Sequence, residues 1–189
     1  MSFLRVFIVG LSLVFLSCAP AIKQFFPGNY FPEDHTYQNK SLGFALTYRG
    51  NWEIATDPNE TRKNKSYSKE LHKIGAELLF TGFTVEKTQG TRCIVAHLNE
   101  TSREYAEEIR NINKNSLNSD SGCSDVSING KNFSTWRYRD KENDLCFIEY
   151  FFTVETYNLR IAFWTTPVLF EKFLPVYDEI MGSLLFLGR

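Results

Sequence analysis

The stretch 144–166 restricts this chain most. Cys146, Ile148, Tyr150, Phe152 and Val154 alternate along one face of a first strand, and Leu159, Ile161 and Phe163 alternate along one face of a second. The two sets share a face only if the intervening loop has an even number of residues, because a one-residue slip turns every side chain over. A two-residue turn at Thr156-Tyr157 or Tyr157-Asn158 meets that condition. The opposite face carries Phe147, Phe151, Ala162 and Trp164. A hairpin that is apolar on both sides belongs inside a sheet, with a helix over at least one face. Glu149, set between Phe147 and Phe151, then needs a partner.

The rest of the chain supplies material to cover that hairpin. Leu42, Phe44, Leu46 and Tyr48 give a strand, Gly50-Asn51 turns it, and Trp52 and Ile54 begin another. After a charged loop over 57–65, Tyr67, Leu71 and Ile74 recur at helical spacing before Gly75, which predicts a short amphipathic helix over 66–74. Strands follow over 78–87 and 92–99, joined around Gln89-Gly90. Thr101-Ser102-Arg103-Glu104 is a capping-box sequence opening a mostly charged helix with Tyr105, Ile109 and Ile112 on one stripe. Residues 115–122 read as a polar loop. Asn129-Gly130 is a strong hairpin signal that sets 123–128 against 131–140. A three-residue loop at Glu142-Asn143-Asp144 places Trp136 and Tyr138 on the same face as Cys146, Ile148 and Tyr150. Thr166-Pro167 starts a last helix carrying Phe170, Phe173, Tyr177, Ile180 and Leu184 at helical spacing, with Pro175 expected to kink or restart it. The aromatic load, 17 Phe and 9 Tyr, suits filled sheet faces. A formal net charge of −1 offers no global basic field, so nucleic acid is not an expected partner.

The N-terminus points to the cell envelope. Arg5 precedes an apolar run, Val6 to Leu16, that has the length of a signal-peptide core and is too short to span a bilayer. It ends in Phe15-Leu16-Ser17-Cys18, which resembles a bacterial lipobox. Residues 1–17 are therefore expected to be a signal peptide, and Cys18 the lipidated first residue of the mature protein. Residues 18–40, with Pro20, Pro27, Gly28 and Pro32, show no helical or strand period and read as a tether. A coil of about 20 residues keeps its cargo within roughly 25 Å of the membrane. Phe25, Phe26, Tyr30 and Phe31 in that tether rest at the membrane interface or dock on the domain.

Residues 41–189 then form a single domain. Asn39, Gly43, Phe44, Leu46, Tyr48 and Trp52, followed at the far end by Ser183-Leu184-Leu185-Phe186, together with the order strand, strand, helix, two strands, helix, four strands, helix, resemble the PsbP-like superfamily. That superfamily includes the photosystem II extrinsic protein, the Ran-binding Mog proteins and the envelope lipoprotein DcrB. The resemblance implies an α+β fold, an α/β/α sandwich on a central antiparallel sheet with the C-terminal helix packed on it. It also implies a module used mainly for non-catalytic binding.

No catalytic, cofactor or metal site is expected from the residues. His35, His72 and His97 show no ligand spacing with one another or with the cysteines. Cys93 and His97 share a strand face but lie about 13 Å apart by strand rise. Cys93, Cys123 and Cys146 fall in strands, which leaves open buried free thiols or, in an exported protein, one disulfide of undecided connectivity. Glu155 and Asp178 read as solvated. The expectation is a membrane-tethered, non-enzymatic binding or accessory lipoprotein whose partner is the membrane and an envelope protein. A carrier of a small apolar ligand, and an enzyme whose site assembles only in the fold, are the alternatives.

Overall fold

A computed structural model describes residues 21–188; the signal-like segment and Cys18 lie outside them. The elements are β1 (Asn29–Phe31), β2 (Thr36–Asn39), β3 (Phe44–Thr47), β4 (Trp52–Ala55), α1 (Arg62–Lys73), β5 (Ala76–Thr84), β6 (Gln89–His97), α2 (Ser102–Asn113), β7 (Leu117–Ile128), β8 (Lys131–Asp140), β9 (Cys146–Val154), β10 (Tyr157–Thr165), α3 (Pro167–Gly182) and β11 (Leu185–Phe186). They build two antiparallel sheets, a small one ordered β1-β2-β3-β11 and a wide one ordered β4-β5-β6-β10-β9-β8-β7. The fold is α+β, with the β9–β10 hairpin in the middle of the wide sheet. No described helix is long and apolar enough to cross a membrane.

Two cores lie on the two faces of the wide sheet. On one face Cys93, Tyr150, Leu159, Ile161 and Phe163 pack with Phe170, Tyr177 and Ile180 of α3 and with Tyr37, Phe44 and Leu46 of the small sheet. On the other, Leu78, Ile94, Phe151 and Trp136 pack with Leu71 of α1 and with Tyr105 and Ala106 of α2. Burying each large side chain contributes about 1.5–3 kcal/mol, so a hairpin clad on both faces is the best-held part of the chain. Tyr150 illustrates the inner layer: it is fully buried against Phe163 at 6.0 Å, and its hydroxyl reaches Asp178 of α3 at 2.6 Å.

Local signals are realised where the chemistry is short-range. Thr101 accepts from the Glu104 amide while the Glu104 carboxylate accepts from the Thr101 amide, the expected capping box. Asn129 and Gly130 both take positive φ, 49° and 74°, between paired Ile128 and Lys131, as a two-residue primed turn requires. α3 runs through Pro175 as one helix rather than restarting. The residues that carried the family resemblance are structural. Asn39 is fully buried, donating to the Phe26 carbonyl and accepting from the Leu42 amide, and Ser183 accepts from the Thr47 amide at the end of α3.

Other expectations need correction. β3 and β4 do not form a hairpin: 48–51 carry the chain from the small sheet to the wide one. α1 begins at Arg62, capped by Thr61, inside the stretch expected to be loop. The β5–β6 turn lies at 85–88, with Phe83 opposite Gly90. The polar segment 117–122 is strand, forming the first half of edge strand β7 with a bulge between Asp120 and Cys123. An edge strand with one solvated face tolerates that polarity. The β9–β10 turn is Glu155-Thr156, two residues as parity demands, but Val154 pairs with Tyr157, which puts the turn one residue before the first expected position and two before the second. Between β8 and β9 the loop holds four residues, 141–144, because the Asp140 amide donates to the Leu145 carbonyl and Asp144 takes φ 54°. That extra residue sets Tyr138 opposite Phe147 and Trp136 opposite Glu149, on the face away from Tyr150.

Much of the stretch expected to be tether is folded onto the domain. Besides β1 and β2, residues 22–26 form a strap whose backbone is held by side chains of the body. Asn59 bonds both the amide and the carbonyl of Ile22, at 2.8 and 3.0 Å, and the Glu77 carboxylate accepts from the amides of Phe25 and Phe26, at 3.0 and 3.2 Å. The Phe26 ring meets Tyr157 edge-on at 5.0 Å. Replacing Glu77 with Ala is expected to free this strap alone. The Phe25 and Phe26 amides should exchange about tenfold faster or more, as the loss of charge-assisted hydrogen bonds of ~1.5–3 kcal/mol predicts, while the amides of β9 and β10 keep their protection. Hydrogen exchange read residue by residue checks this.

Candidate functional site

Two rows of side chains cross the α1–α2 face of the wide sheet beside each other. One runs Thr81, Arg92, Ala162, Glu149, Trp136, and the next runs Phe83, Gly90, Trp164, Phe147, Tyr138. Their small members make room for the large ones. Ala162 stands between Arg92 and Glu149, and Gly90 leaves the space that Trp164 occupies, since a Cβ there would lie 2.1 Å from the indole. The second row is an aromatic ladder. Tyr138 stacks on Trp136 at 4.0 Å and on Phe147 at 4.9 Å, Phe147 meets Trp164 at 5.7 Å, and Trp164 meets Phe83 edge-on at 5.8 Å.

Glu149 has the partner its setting demanded. It is fully buried, and Arg160 clasps it with two donors: Nε reaches Oε2, and Nη2 reaches Oε1 at 2.8 Å. The Tyr138 hydroxyl donates to Oε1 at 2.7 Å. Burial alone would push this carboxyl up, but the Arg160 charge and hydrogen bonds, helped by Arg92 and Tyr138, hold it below the usual range. Burial and the adjacent carboxylate both push the Tyr138 phenol well above its ordinary value. Glu149 is thereby a committed acceptor and a weak base.

Arg92 is placed differently. Its Nη2 lies 3.7 Å from Glu149 Oε1, an ion pair without a hydrogen bond, and its buried Nε has no hydrogen-bond partner among the described residues. The guanidinium lies 5.4 Å from the Tyr67 ring centroid and 5.8 Å from that of Trp164. It forms part of the floor of an open groove of about 1030 Å³. Phe83 and Trp164 continue that floor, and Asn64 and Tyr67 of α1, with its cap residue Thr61, make one wall. Asn64 is fixed by a 2.9 Å hydrogen bond to Thr81, and Phe83 is 43% exposed.

The other candidate residues are kept apart. His35 caps a 3-10 turn in a left-handed conformation. His72 and His97 line one cleft of about 170 Å³ with Glu77, but among the described residues no three His, Cys, Asp or Glu side chains gather closely enough to hold a metal ion. His97 packs edge-on against Tyr157 at 5.1 Å, far from buried Cys93. Cys93, Cys123 and Cys146 are free thiols, the first of the two states the sequence left open. Cys123 packs with the α1–α2 face and Cys146 with the α3 face, and Cys93 and Cys146 are four positions out of step on either side of β10. Burial raises all three, Cys123 to about 11, so each stays protonated at neutral pH. Asp178 bonds Tyr150 on the face away from Glu149, so these two carboxylates form no pair.

Arg92, Arg160, Tyr67 and Trp164 were not singled out by sequence. The readable signal was Arg160 itself, a charge between Leu159 and Ile161 in a strand buried on both sides.

No protein-family model and no curated protein matches the chain. Among solved structures, the chain is similar to the cyanobacterial PsbP protein CyanoP from Synechocystis sp. PCC 6803, with a TM-score of 0.57 at 11% identity, over 80% of this chain and 91% of that one. A crystal structure from Bacteroides thetaiotaomicron VPI-5482 aligns with a TM-score of 0.45 at 12% identity, over 78% of this chain and 46% of that one. The fold is PsbP-like.

Removing the Glu149 charge tests the cluster. Glu149→Gln leaves Arg160 buried without its counter-ion and should cost about 3–5 kcal/mol at neutral pH. The folded carboxyl lies below its unfolded value of about 4.3, so the contribution of the charge is complete above that value and is lost as pH falls through the lower folded one. Urea denaturation of both proteins across pH should therefore show a wide gap at neutral pH that narrows below about pH 4.

Proposed function

We propose that this protein is a membrane-tethered, non-enzymatic binding module of a bacterial envelope, anchored through a lipid on Cys18 and serving a neighbouring envelope component. The observation that carries this reading is the groove over Arg92. It is an open, aromatic-floored surface with an uncommitted guanidinium, on a face whose carboxylate is already saturated by Arg160 and Tyr138. Such a surface recognises by contact and charge. The PsbP-like fold supports the same reading, since the superfamily it resembles works mainly by binding. Against the enzyme alternative stands the chemistry of the buried groups: the thiols are held protonated and Glu149 is a poor base.

The anchor sits closer to the body than a free tether of 18–40 would put it. Because the body grips the backbone from Ile22, the chain between Cys18 and the clamp reaches at most ~14 Å. The domain therefore lies against the membrane surface in this reading.

Cys18→Ala is expected to move the protein from the membrane fraction to the soluble one and to remove the acyl mass from the mature N-terminus. Unchanged fractionation, with no acyl mass in the wild type, refutes the anchor. Crosslinking in intact cells from a photoreactive residue at Phe83 is expected to capture an envelope component; a turnover activity lost on changing a groove residue would favour the enzyme instead.

A further inference from the structure

The charges of the cluster beneath the groove floor do not balance. Glu149 is one anion between two cations, and its hydrogen-bonding capacity is directed to Arg160 and Tyr138. Arg92 contributes charge to that carboxylate but no hydrogen bond, and it keeps its donors, one of them a buried Nε without a partner. A buried donor left unpaired costs about 1–3 kcal/mol, and what a groove ligand can reach is the exposed end of the guanidinium rather than Nε. The side chain is 23% exposed and lines the groove.

We infer that the groove binds an amphipathic organic monocarboxylate, with its carboxylate on Arg92 and its apolar body along Phe83 and Trp164. This deepens the reading of the groove as a binding surface and rests on it. A planar carboxylate matches the guanidinium fork. The surplus is a single positive charge, so a monoanion balances it. Glu53, Glu60 and Glu70 also line the groove, Glu70 being paired to Lys73 at 2.8 Å, against Lys63 and Lys87. Glu53 and Glu60 are offset by Lys63 and Lys87, so the rim adds no net charge, and the choice of a monoanion rests on the single surplus charge of the cluster beneath the floor. The Tyr67 and Trp164 rings around Arg92 lower the local dielectric and strengthen the pair. The apolar body follows from the floor: Phe83 and Trp164 form an edge-to-face pair reaching into the groove, and the ladder continues to Phe147.

Isothermal titration of the full chain carrying Cys18→Ala, with 4-phenylbutanoate, 4-phenylbutanol and inorganic phosphate, tests this. The carboxylate is expected to bind at least tenfold more tightly than the alcohol, and phosphate not detectably. Arg92→Gln should abolish the preference for the acid, and Arg92→Lys should restore only part of it. Phe83→Ala, at an exposed position that leaves folding intact, should weaken acid and alcohol alike. Equal affinity for acid and alcohol, tighter binding of phosphate, or an Arg92→Gln protein that keeps the acid preference each overturns the inference. Should Arg92→Gln not fold, the acid-to-alcohol ratio of the unaltered groove and the Phe83→Ala result decide. These titrations use protein off the membrane, so failure here leaves the anchor untouched. A protein captured at Phe83 in cells, with no acid preference in vitro, overturns the carboxylate and keeps the binding module.

Discussion

Strands β9 and β10 are packed on both faces, and that constraint fixes everything around them. In a sheet with one solvated face a register error exposes apolar groups, whereas in this hairpin a slip by one residue drives Glu149 and Arg160 into the layer filled by Phe163 and Tyr177 and brings Tyr150 out toward α2. The Phe163 and Tyr177 rings stack at 4.8 Å, leaving no room for a charged pair. The two cores therefore differ in kind. The α3 side is an aromatic and aliphatic layer with few polar contacts such as Tyr150 to Asp178, and the α1–α2 side contains an ion cluster beside an aromatic ladder.

That difference explains why binding chemistry gathers on one face. A buried ion pair roughly breaks even against apolar packing, so Glu149 and Arg160 add little to stability as a pair and much to position. The bidentate clasp holds the carboxylate in one orientation, Tyr138 fixes its second lone pair, and Tyr138 is itself stacked between Trp136 and Phe147. Arg92 is the remaining cation, and Gly90 and Ala162 in the neighbouring strand positions leave the space in which it and Trp164 lie. The groove floor is thus fixed from beneath by strand register and not by loop conformation.

Register is also where the sequence could and could not be read. Short-range signals sufficed for the Thr101–Glu104 capping box, the Asn129-Gly130 turn and the helical stripe of α3, because each is settled by atoms a few residues apart. Parity of the β9–β10 turn was legible, but its place was not: Glu155-Thr156 lacks the Gly or Asn that marks primed turns, while Tyr157-Asn158 offers an Asn that the strand uses instead, buried and donating to the Glu100 carbonyl at 3.0 Å. That two-residue displacement sets Arg160 opposite Phe151 and diagonal to Glu149. In the expected register the two would not have met, so Glu149 could be seen to need a partner without the partner being seen. The four-residue loop before β9 had the same effect on Trp136 and Tyr138. β1, β2 and the strap were missed for another reason: the two short strands pair with each other and with β3, the strap's backbone is satisfied by the side chains of Asn59, Glu77 and Asn39, and no local period betrays either.

Helix α1 joins the strap and the groove. It buries only Ser68 and Leu71, where α3 buries Phe170, Leu174, Tyr177, Ile180 and Met181, so its seat on the sheet owes less to apolar area than to contacts at its two ends. Toward its start, Asn64 bonds Thr81 and Tyr67 lies over Arg92, which are groove contacts. At its last turn the His72 ring lies 6.2 Å from Phe25, and just beyond it Glu77 grips the strap. A weakly buried helix held by partners at both ends takes its position from both. One element thus touches both the groove and the strap, although the hydrogen bonds that hold the strap come from Glu77 of β5 and from Asn59 rather than from the helix.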